Sequence, residues 1–380
     1  MPQGNMRIVF LHRANDPYTI ERIRYFLKNH HEVHSISFSS FNYKADYQTD
    51  IENVNVVRLK KTMIDKIPLA KRVSHHFELE KILKQIKPDI LHVVSALNLF
   101  YCDTKFSKVK VIENQGSDVI VSPKKFKFLK YYYKHYYKKV DGIIQDSKLA
   151  FENGLKYGAF SDTNLNKIIE IGIDFKIFNN SVQKGVARKK YNLGNRKIIF
   201  HTRGLVESYN VDIILQSILQ VRKVFPECVY LLTTTFEKLN PQMQNIIESN
   251  KLANNILFVG YQDRIESLKY LYRDADVHIS VPSSDSSPFS VYESMACMTP
   301  NVVTDLPWLY SNFTPGKHLV TCPVRDAEKL GNTIVDVLHG KHNIDMVSAY
   351  NIVYNNINFE KENAKLEEFY KYLLKKNGND

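Results

Sequence analysis

Residues 276–304 read Asp-Val-His-Ile-Ser-Val-Pro-Ser-Ser-Asp-Ser-Ser-Pro-Phe-Ser-Val-Tyr-Glu-Ser-Met-Ala-Cys-Met-Thr-Pro-Asn-Val-Val-Thr. The apolar run from Val277 to Val281 has the length and branching of a buried strand. A Ser-rich turn follows, then a helix that begins near Pro288 and stops before Pro300, and a second strand at Asn301–Thr304. Asp285 and Glu293 bracket the helix entrance with seven residues between them. In an open α/β sheet, ligands collect where a loop leaves the carboxyl end of a strand and enters a helix. The N–H groups and dipole of such a helix attract phosphate. Carboxylates beside a phosphate site suit a ligand with hydroxyls, such as a sugar or ribose. The same residues also allow a plain structural reading: Ser290-x-x-Glu293 is a capping box, and Ser287-Pro288 is an N-cap with Pro at the first helical position.

Bulk properties frame this window. The chain has 380 residues, which suits two domains rather than one core. Cys102, Cys228, Cys297 and Cys322 are scattered, without the spacing of a zinc site or a disulfide framework, and point to a reducing compartment. Met1 to Asn5 is polar and a strand starts at about Met6, so no charged-then-apolar leader is expected. The longest uncharged, mostly apolar run, Leu91 to Cys102, is too short to span a bilayer. Residues 1–180 carry +10 of the net +12, which points to an anionic partner for the first half.

Strands and helices alternate throughout, the pattern of α/β architecture with parallel sheets. The first half reads as strands at Arg7–Leu11, Glu32–Phe38, Ile90–Val94, Val109–Glu113, Gly142–Gln145 and Lys167–Ile171, with helices at Thr19–Lys28 and Phe77–Lys87. A polar, basic stretch at Asn179–Asn195 is the candidate hinge. The second half restarts with a strand at Lys197–His201 and a helix at Val211–Val224, then strands at Val229–Leu232 and Ile256–Val259. Asp326–Leu338, Asp345–Asn356 and Glu360–Lys375 read as its last helices. The fourteen glycines include no Gly-x-Gly, so the dinucleotide fingerprint and the Walker loop are both missing. That counts against a nicotinamide oxidoreductase or a P-loop ATPase.

The opening window resembles the most diagnostic motif of the retaining glycosyltransferases of family four: Glu, seven residues, Glu, then Ala-Met-Ala-Cys-Gly-x-Pro-Val-Val. Asp285 stands at the first Glu position and Glu293 at the second, while Met295, Ala296, Cys297, Pro300, Val302 and Val303 match the tail. Lys87-Pro88-Asp89-Ile90-Leu91-His92-Val93, Val140-Asp141-Gly142-Ile143-Ile144 with Ser147, and Ile171-Gly172-Ile173-Asp174 with Phe178 resemble further elements of that family, in the same order. The resemblance implies the GT-B fold: two Rossmann-like domains with parallel sheets facing across a cleft. It places an acceptor-binding domain at 1–180, a nucleotide-sugar-binding domain at 181–358, and a C-terminal helix at 359–380 that crosses back to the first domain. It also implies a retaining transfer from a nucleoside-diphosphate sugar to a saccharide or lipid-linked acceptor in cell-surface polysaccharide or lipopolysaccharide synthesis.

Residue by residue, the resemblance assigns Gln115, Asp285 and Glu293 to the catalytic centre. Asp285 would hold donor-sugar hydroxyls and Glu293 the ribose, so Glu293→Ala is expected to abolish transfer with little loss of fold. Arg203 would neutralise the diphosphate, because guanidinium binds phosphate oxygens in bidentate fashion. Tyr209 stands where the family has a Lys, and another cation such as Arg264 is an alternative phosphate holder. Ser286, Ser287, Pro288, Phe289 and Ser290 form the donor-side helix start. Gln115 replaces the family's His and cannot serve as a general base; Gly116-Ser117-Asp118 also reads as a capped turn. His12 and Arg13, with Gly116 and Asp118, are acceptor-side candidates, although a His at a strand end also has a structural reading. No metal or other cofactor is expected, since Arg and helix dipoles take the divalent ion's place.

The segment Lys124–Lys139 alternates basic and aromatic residues, with Phe126, Leu129, Tyr133, Tyr136, Tyr137 and Val140 on one face if it is helical. Lys124, Lys125, Lys127, Lys130 and Lys134 suit an anionic membrane surface. A solvated helix with a Tyr-rich core face is the plain alternative, and nucleic-acid binding is the weakest of the three. A cytoplasmic enzyme, peripheral on the inner face of the membrane, follows from the first. Two rivals stay open: a nucleotide-sugar 2-epimerase of the same fold, and a non-catalytic homologue, which the missing Lys and His favour, as does the lack in the His12–Tyr18 loop of the Gly-Gly common in that family.

Overall fold

The computed structural model describes residues 4–13, 16–38, 55–59, 68–234 and 239–378. The chain divides into two compact units, Met1–Ile171 with Glu360–Asp380, and Gly172–Phe359.

The first unit runs β1 (Arg7–Arg13), α1 (Pro17–Lys28), β2 (Glu32–Phe38), β3 (Asn55–Leu59), α2 (Pro68–Ile86), β4 (Ile90–Val94), β5 (Val109–Asn114), three short helices α3 (Gly116–Ile120), α4 (Ser122–Lys125) and α5 (Leu129–Tyr136), then β6 (Gly142–Gln145), α6 (Lys148–Lys156) and β7 (Asn166–Ile168). Among the described residues its seven strands are all parallel, in the order β3-β2-β1-β4-β5-β6-β7. The apolar run Ile8–Leu11 in β1 and the burial of every residue of β4 follow from cover on both faces, as parallel sheets require.

The second unit runs α7 (Val186–Lys190), β8 (Ile198–His201), α8 (Val211–Val224), β9 (Val229–Thr233), α9 (Pro241–Ser249), β10 (Ile256–Gly260), α10 (Lys269–Asp274), β11 (Val277–Ser280), α11 (Phe289–Ala296), β12 (Asn301–Thr304), β13 (Val320–Cys322), α12 (Ala327–Leu338) and α13 (Met346–Asn356). Among the described residues its six strands are parallel, in the order β10-β9-β8-β11-β12-β13. Ile199, Ile279 and Val302 face the helices α8 and α12, and Phe200, Val291 and Met295 fill the other side. Gly331 lets α12 lie close to α8, since a Cβ there would meet the Ser217 carbonyl at 2.8 Å. The strand order reverses between β8 and β11, and ligands of such sheets bind at that switch point. Both units are Rossmann-like.

The last helix, α14 (Phe359–Lys376), belongs to the first unit from Glu360 onward. Leu366, Phe369, Tyr370 and Leu373 are its buried stripe. Gly142 makes room for it: a Cβ there would meet Leu373 Cδ1 at 2.5 Å and Phe369 Cζ at 2.8 Å.

Several local expectations change. The capping reading of the opening window does not hold, because α11 has Pro288 at its N-cap and no side-chain cap bond. The Glu293 carboxylate points to other partners, and Ser290 Oγ is buried without one. The basic segment is not one helix: α4 ends at Lys125 and α5 begins at Leu129, with Phe126 in extended backbone between them. Phe126 therefore turns outward, whereas Leu129, Tyr133, Tyr137 and Val140 are buried. The last strand of the first sheet is Asn166–Ile168 rather than Lys167–Ile171, and α2 begins at Pro68 rather than Phe77. Edge strands β3 and β13, and helices α6, α9 and α10, complete the alternation.

Candidate functional site

Two guanidinium–carboxylate pairs stand at the entrance of α11 in the second unit. Arg203, just past β8, pairs with Asp285 in the loop that leaves β11. Its guanidinium carbon also lies 4.4 Å from the centre of the Tyr209 ring. Arg264 pairs with Glu293 on α11 and lies 5.3 Å from the Phe178 ring. Tyr209 thus supplies a flat face on which Arg203 rests, a cation–π arrangement. It does not act as a second cation.

Glu293 is 2% exposed. One carboxylate oxygen accepts from Arg264 and the other from the Tyr272 hydroxyl at 2.8 Å. Tyr272 also reaches Thr202 Oγ1 at 3.2 Å, and Thr202 Oγ1 lies 3.2 Å from His278 Nε2. His278 Nδ1 is 2.7 Å from Asn301 Oδ1. One chain of hydrogen bonds therefore runs from Arg264 through Glu293 and Tyr272 to Thr202, the residue before Arg203. The chain ends one residue short of Arg203.

Arg264 opens a single π turn, Arg264–Leu268, whose start is capped by Asp263 through the Ile265 and Glu266 N–H groups at 2.8 Å each. Such turns aim a side chain that a regular helix would carry elsewhere. Across the site, Asn210 adopts a left-handed conformation with φ +53° and donates to the Val281 carbonyl at 2.9 Å. The Ser283 N–H donates to the Ser208 carbonyl at 3.2 Å. These bonds fasten the loop that carries Tyr209 to the Ser-rich turn. Ser286 donates its N–H to Asp285 Oδ1 at 2.9 Å, and Ser286 and Ser287 are buried.

The candidates of the first unit are held by their own neighbours. His12 is buried, with Nε2 2.8 Å from Ser35 Oγ and Nδ1 2.7 Å from the Arg13 carbonyl. Both ring nitrogens are occupied, which favours its structural reading. Arg13 is exposed at the end of β1, and Ala14 and Asn15 of the same loop lie outside the described residues. Gln115 is the N-cap of α3 in a reciprocal capping box with Asp118. Asp118 accepts the N–H groups of Ala96 at 2.6 Å and Gln115 at 3.2 Å, and burial lifts its pKa to about 7. Gly116 donates its N–H to Asp146 at 2.7 Å. Among the described residues no cluster of three His, Cys, Asp or Glu has the geometry to hold a metal ion.

Sequence reasoning missed Tyr272, Thr202 and His278, because a lone Tyr, Thr or His in an apolar run carries no signal of its own. It also missed a property of the two buried histidines. Burial depresses His201 to about 4 and His278 to about 3. The unfolded chain takes up these protons first, near the ordinary value of 6.5. Their stabilising contribution is whole above that value and is lost as pH falls toward the folded pKa values. At about pH 5 each is expected to remove about 2 kcal/mol from the second unit. Trp308, the chain's one tryptophan, is buried in that unit and reports its unfolding. Its fluorescence midpoint in urea should drop clearly between about pH 7 and about pH 5. An unchanged midpoint would show that the histidines are not held neutral.

Comparison with known proteins adds the following. Residues 7–147 match the family model of glycosyl transferase 4-like proteins, and residues 183–353 match that of glycosyl transferases group 1. No match is found among curated proteins. Among solved structures, the chain is similar to a sucrose-phosphate synthase from Thermosynechococcus elongatus, with a TM-score of 0.82 over 98% of this chain and 100% of that one, at 14% identity. A glycosyltransferase from Rickettsia africae has a TM-score of 0.76 at 18% identity, covering 98% of this chain and 99% of that one. HepE of Anabaena, solved with UDP-glucose, has a TM-score of 0.75 at 15% identity, covering 96% and 99%. These likenesses show the fold, GT-B.

Proposed function

For a chain that belongs to the group 1 glycosyltransferases, we propose transfer of a sugar from a nucleoside-diphosphate donor, with retention, to a saccharide or lipid-linked acceptor at the cell's inner membrane face. The carrying observation is the pair of arginines, each oriented by a carboxylate eight residues from the other, at the switch point of the second sheet. The HepE structures hold UDP and UDP-glucose, which supports the same donor class here.

The diphosphate is assigned to Arg203 and Arg264. Guanidinium groups already held in place by Asp285 and Glu293 lose little freedom when phosphate oxygens arrive. Arg264 thus takes the role left open by Tyr209. Charge that develops on the leaving diphosphate is stabilised by the same two groups, with the α11 N-terminus beside them. Asp285, its side chain 10% exposed, is the group for donor-sugar hydroxyls. Ser290 Oγ, buried without a partner at the first turn of α11, is a further donor contact. In this reading the leaving phosphate oxygen takes the acceptor's proton, so Gln115 orients and does not titrate. The acceptor is assigned to the first unit, on the side of Gln115, Gly116 and Asp118.

A thermal-shift panel of nucleotides and nucleotide sugars, with and without chelator, tests this. A nucleoside diphosphate should raise the midpoint, and Arg203→Ala should remove most of that rise and lower transfer by about a hundredfold. A shift that needs a divalent ion would contradict the arginine clamp. Conversion of the nucleotide sugar without any acceptor would turn the assignment to epimerisation.

A further inference from the structure

We propose that the first unit carries a docking face for anionic lipid bilayers, built from α2 and the Val121–Lys134 segment. The inference rests on the reading that the acceptor is presented at a lipid surface, and it names the surface that would meet it. No helix among the described residues is long and apolar enough to cross a membrane.

The chemistry of the segment is one-sided. From Val119 to Val140 it holds seven lysines and no carboxylate. Lys124, Lys125, Lys127, Lys130 and Lys134 are all exposed. Among them stand Phe128 and Tyr131, 65% and 79% exposed, with Val121 and Phe126 also on the surface. Phe126 and Phe128 lie side by side, ring centres 6.2 Å apart. These outward rings are not the remainder of a poorly packed helix. Leu129, Tyr133 and Tyr137 of the same segment are buried beneath them, and the Tyr133 hydroxyl donates to the Asp118 carbonyl at 2.7 Å.

The break between α4 and α5 produces this division. A continuous helix would have turned Phe126 toward the core with Leu129 and Tyr133. The extended backbone at Phe126 lifts the rings of 126 and 128 to the outside instead. Helix α2 borders the patch: Arg72 lies 5.9 Å from the Tyr132 ring, and His76 packs on Phe100, which packs on Tyr136. Its own exposed pair, Val73 and Phe77, is spaced i,i+4 on one helix face. Lys139 is partly neutralised by Asp103 at 3.4 Å and stands outside the face.

Phe and Val have no polar edge to read a base, and the segment has no arginine to fork onto one. Apolar side chains ringed by lysines fit the boundary between headgroups and acyl chains, where long stems carry the charge outward. The charge and the rings together select an anionic bilayer over nucleic acid.

The test is co-sedimentation of the full chain with phosphatidylcholine vesicles and with vesicles rich in phosphatidylglycerol, over a salt series. The protein should pellet with the anionic vesicles only, less as salt rises. The triple variant Lys124→Ala/Lys127→Ala/Lys130→Ala should weaken partitioning by about a hundredfold, at about fivefold per lysine. Phe128→Ser/Tyr131→Ser should weaken it at least about tenfold and do so even at high salt, with the unfolding midpoint unchanged. Equal pelleting with neutral vesicles, none with anionic ones, or displacement from them by single-stranded DNA bound through the same lysines would overturn the proposal. The nucleotide-induced thermal shift separates the two readings. A retained shift with failed sedimentation sinks the membrane face alone, and a lost shift with intact sedimentation sinks the donor site alone.

Discussion

Glu293→Ala should lose transfer by at least about a hundredfold and, with it, about 3–5 kcal/mol of stability. The second loss departs from the expectation that the residue can be removed with the fold intact. Its side chain is 3% exposed and that of Arg264 13%, so deletion of the carboxylate strands a guanidinium out of water. Tyr272 loses its acceptor in the same step. Removing one member of a buried pair is far more harmful than replacing both. That asymmetry gives the control. Arg264→Met/Glu293→Leu should regain most of the stability, because Phe178 offers apolar surface where Arg264 lies. It should not regain transfer, since the cation proposed for the diphosphate is gone. Urea unfolding followed at Trp308, beside a transfer assay, reads both quantities. A fully stable Glu293→Ala protein would deny the ion pair, and a double variant with full transfer would deny its part in donor binding.

The same pair shows where sequence reading ends. Glu293 and Ser290 have the spacing of a capping box, and nothing within that window says otherwise. The carboxylate is claimed by Tyr272 and Arg264, which lie 21 and 29 residues away and reach it only through the fold. Tyr209 is a second instance. Its place in the sequence invited the role of a missing Lys, whereas the structure uses its ring as a support for Arg203. Elements with strong periodicity or firm punctuation were legible: Val211–Val224 and Asn301–Thr304 have the bounds their patterns suggest. Strands β3 and β13, five and three residues long at the sheet edges, carry too little alternation to stand out. The fold was readable because both halves repeat one βα logic. The hydrogen-bond chain through Thr202, Tyr272 and His278 was not, because each member is an ordinary residue until the strands bring it to the others.

Glu113→Ala is the substitution expected to harm the first unit most, by about 3–5 kcal/mol. Arg22 on α1 is 1% exposed and pairs with Glu113 at the end of β5. Its other donors reach Asn363 Oδ1 on α14 at 3.1 Å and the Glu170 carbonyl at 3.0 Å. His92 on β4 places Nε2 2.9 Å from Glu113, while Nδ1 meets the Tyr370 hydroxyl of α14. Burial pushes the Glu113 carboxyl up, but Arg22 and His92 outweigh it and hold the pKa below the ordinary range. One carboxylate thus joins two strands, the first helix and the last. Without it, Arg22 is buried and unpaired, and α14 loses the anchor that His92 and Arg22 provide. Tyr370→Phe removes a single hydrogen bond of the same network and should cost only about 1 kcal/mol. Denaturant unfolding by far-UV circular dichroism measures the difference between the two variants, and limited proteolysis reads the release of α14. Comparable losses for both would mean that the carboxylate is not the centre of the network. Because Gln115 follows Glu113 by two residues, the loosened strand end should also disturb the α3 entrance, raising KM for the acceptor. The nucleotide-induced thermal shift, assigned by the proposed donor site to the second unit, should persist, which separates damage to the first unit from loss of the donor site.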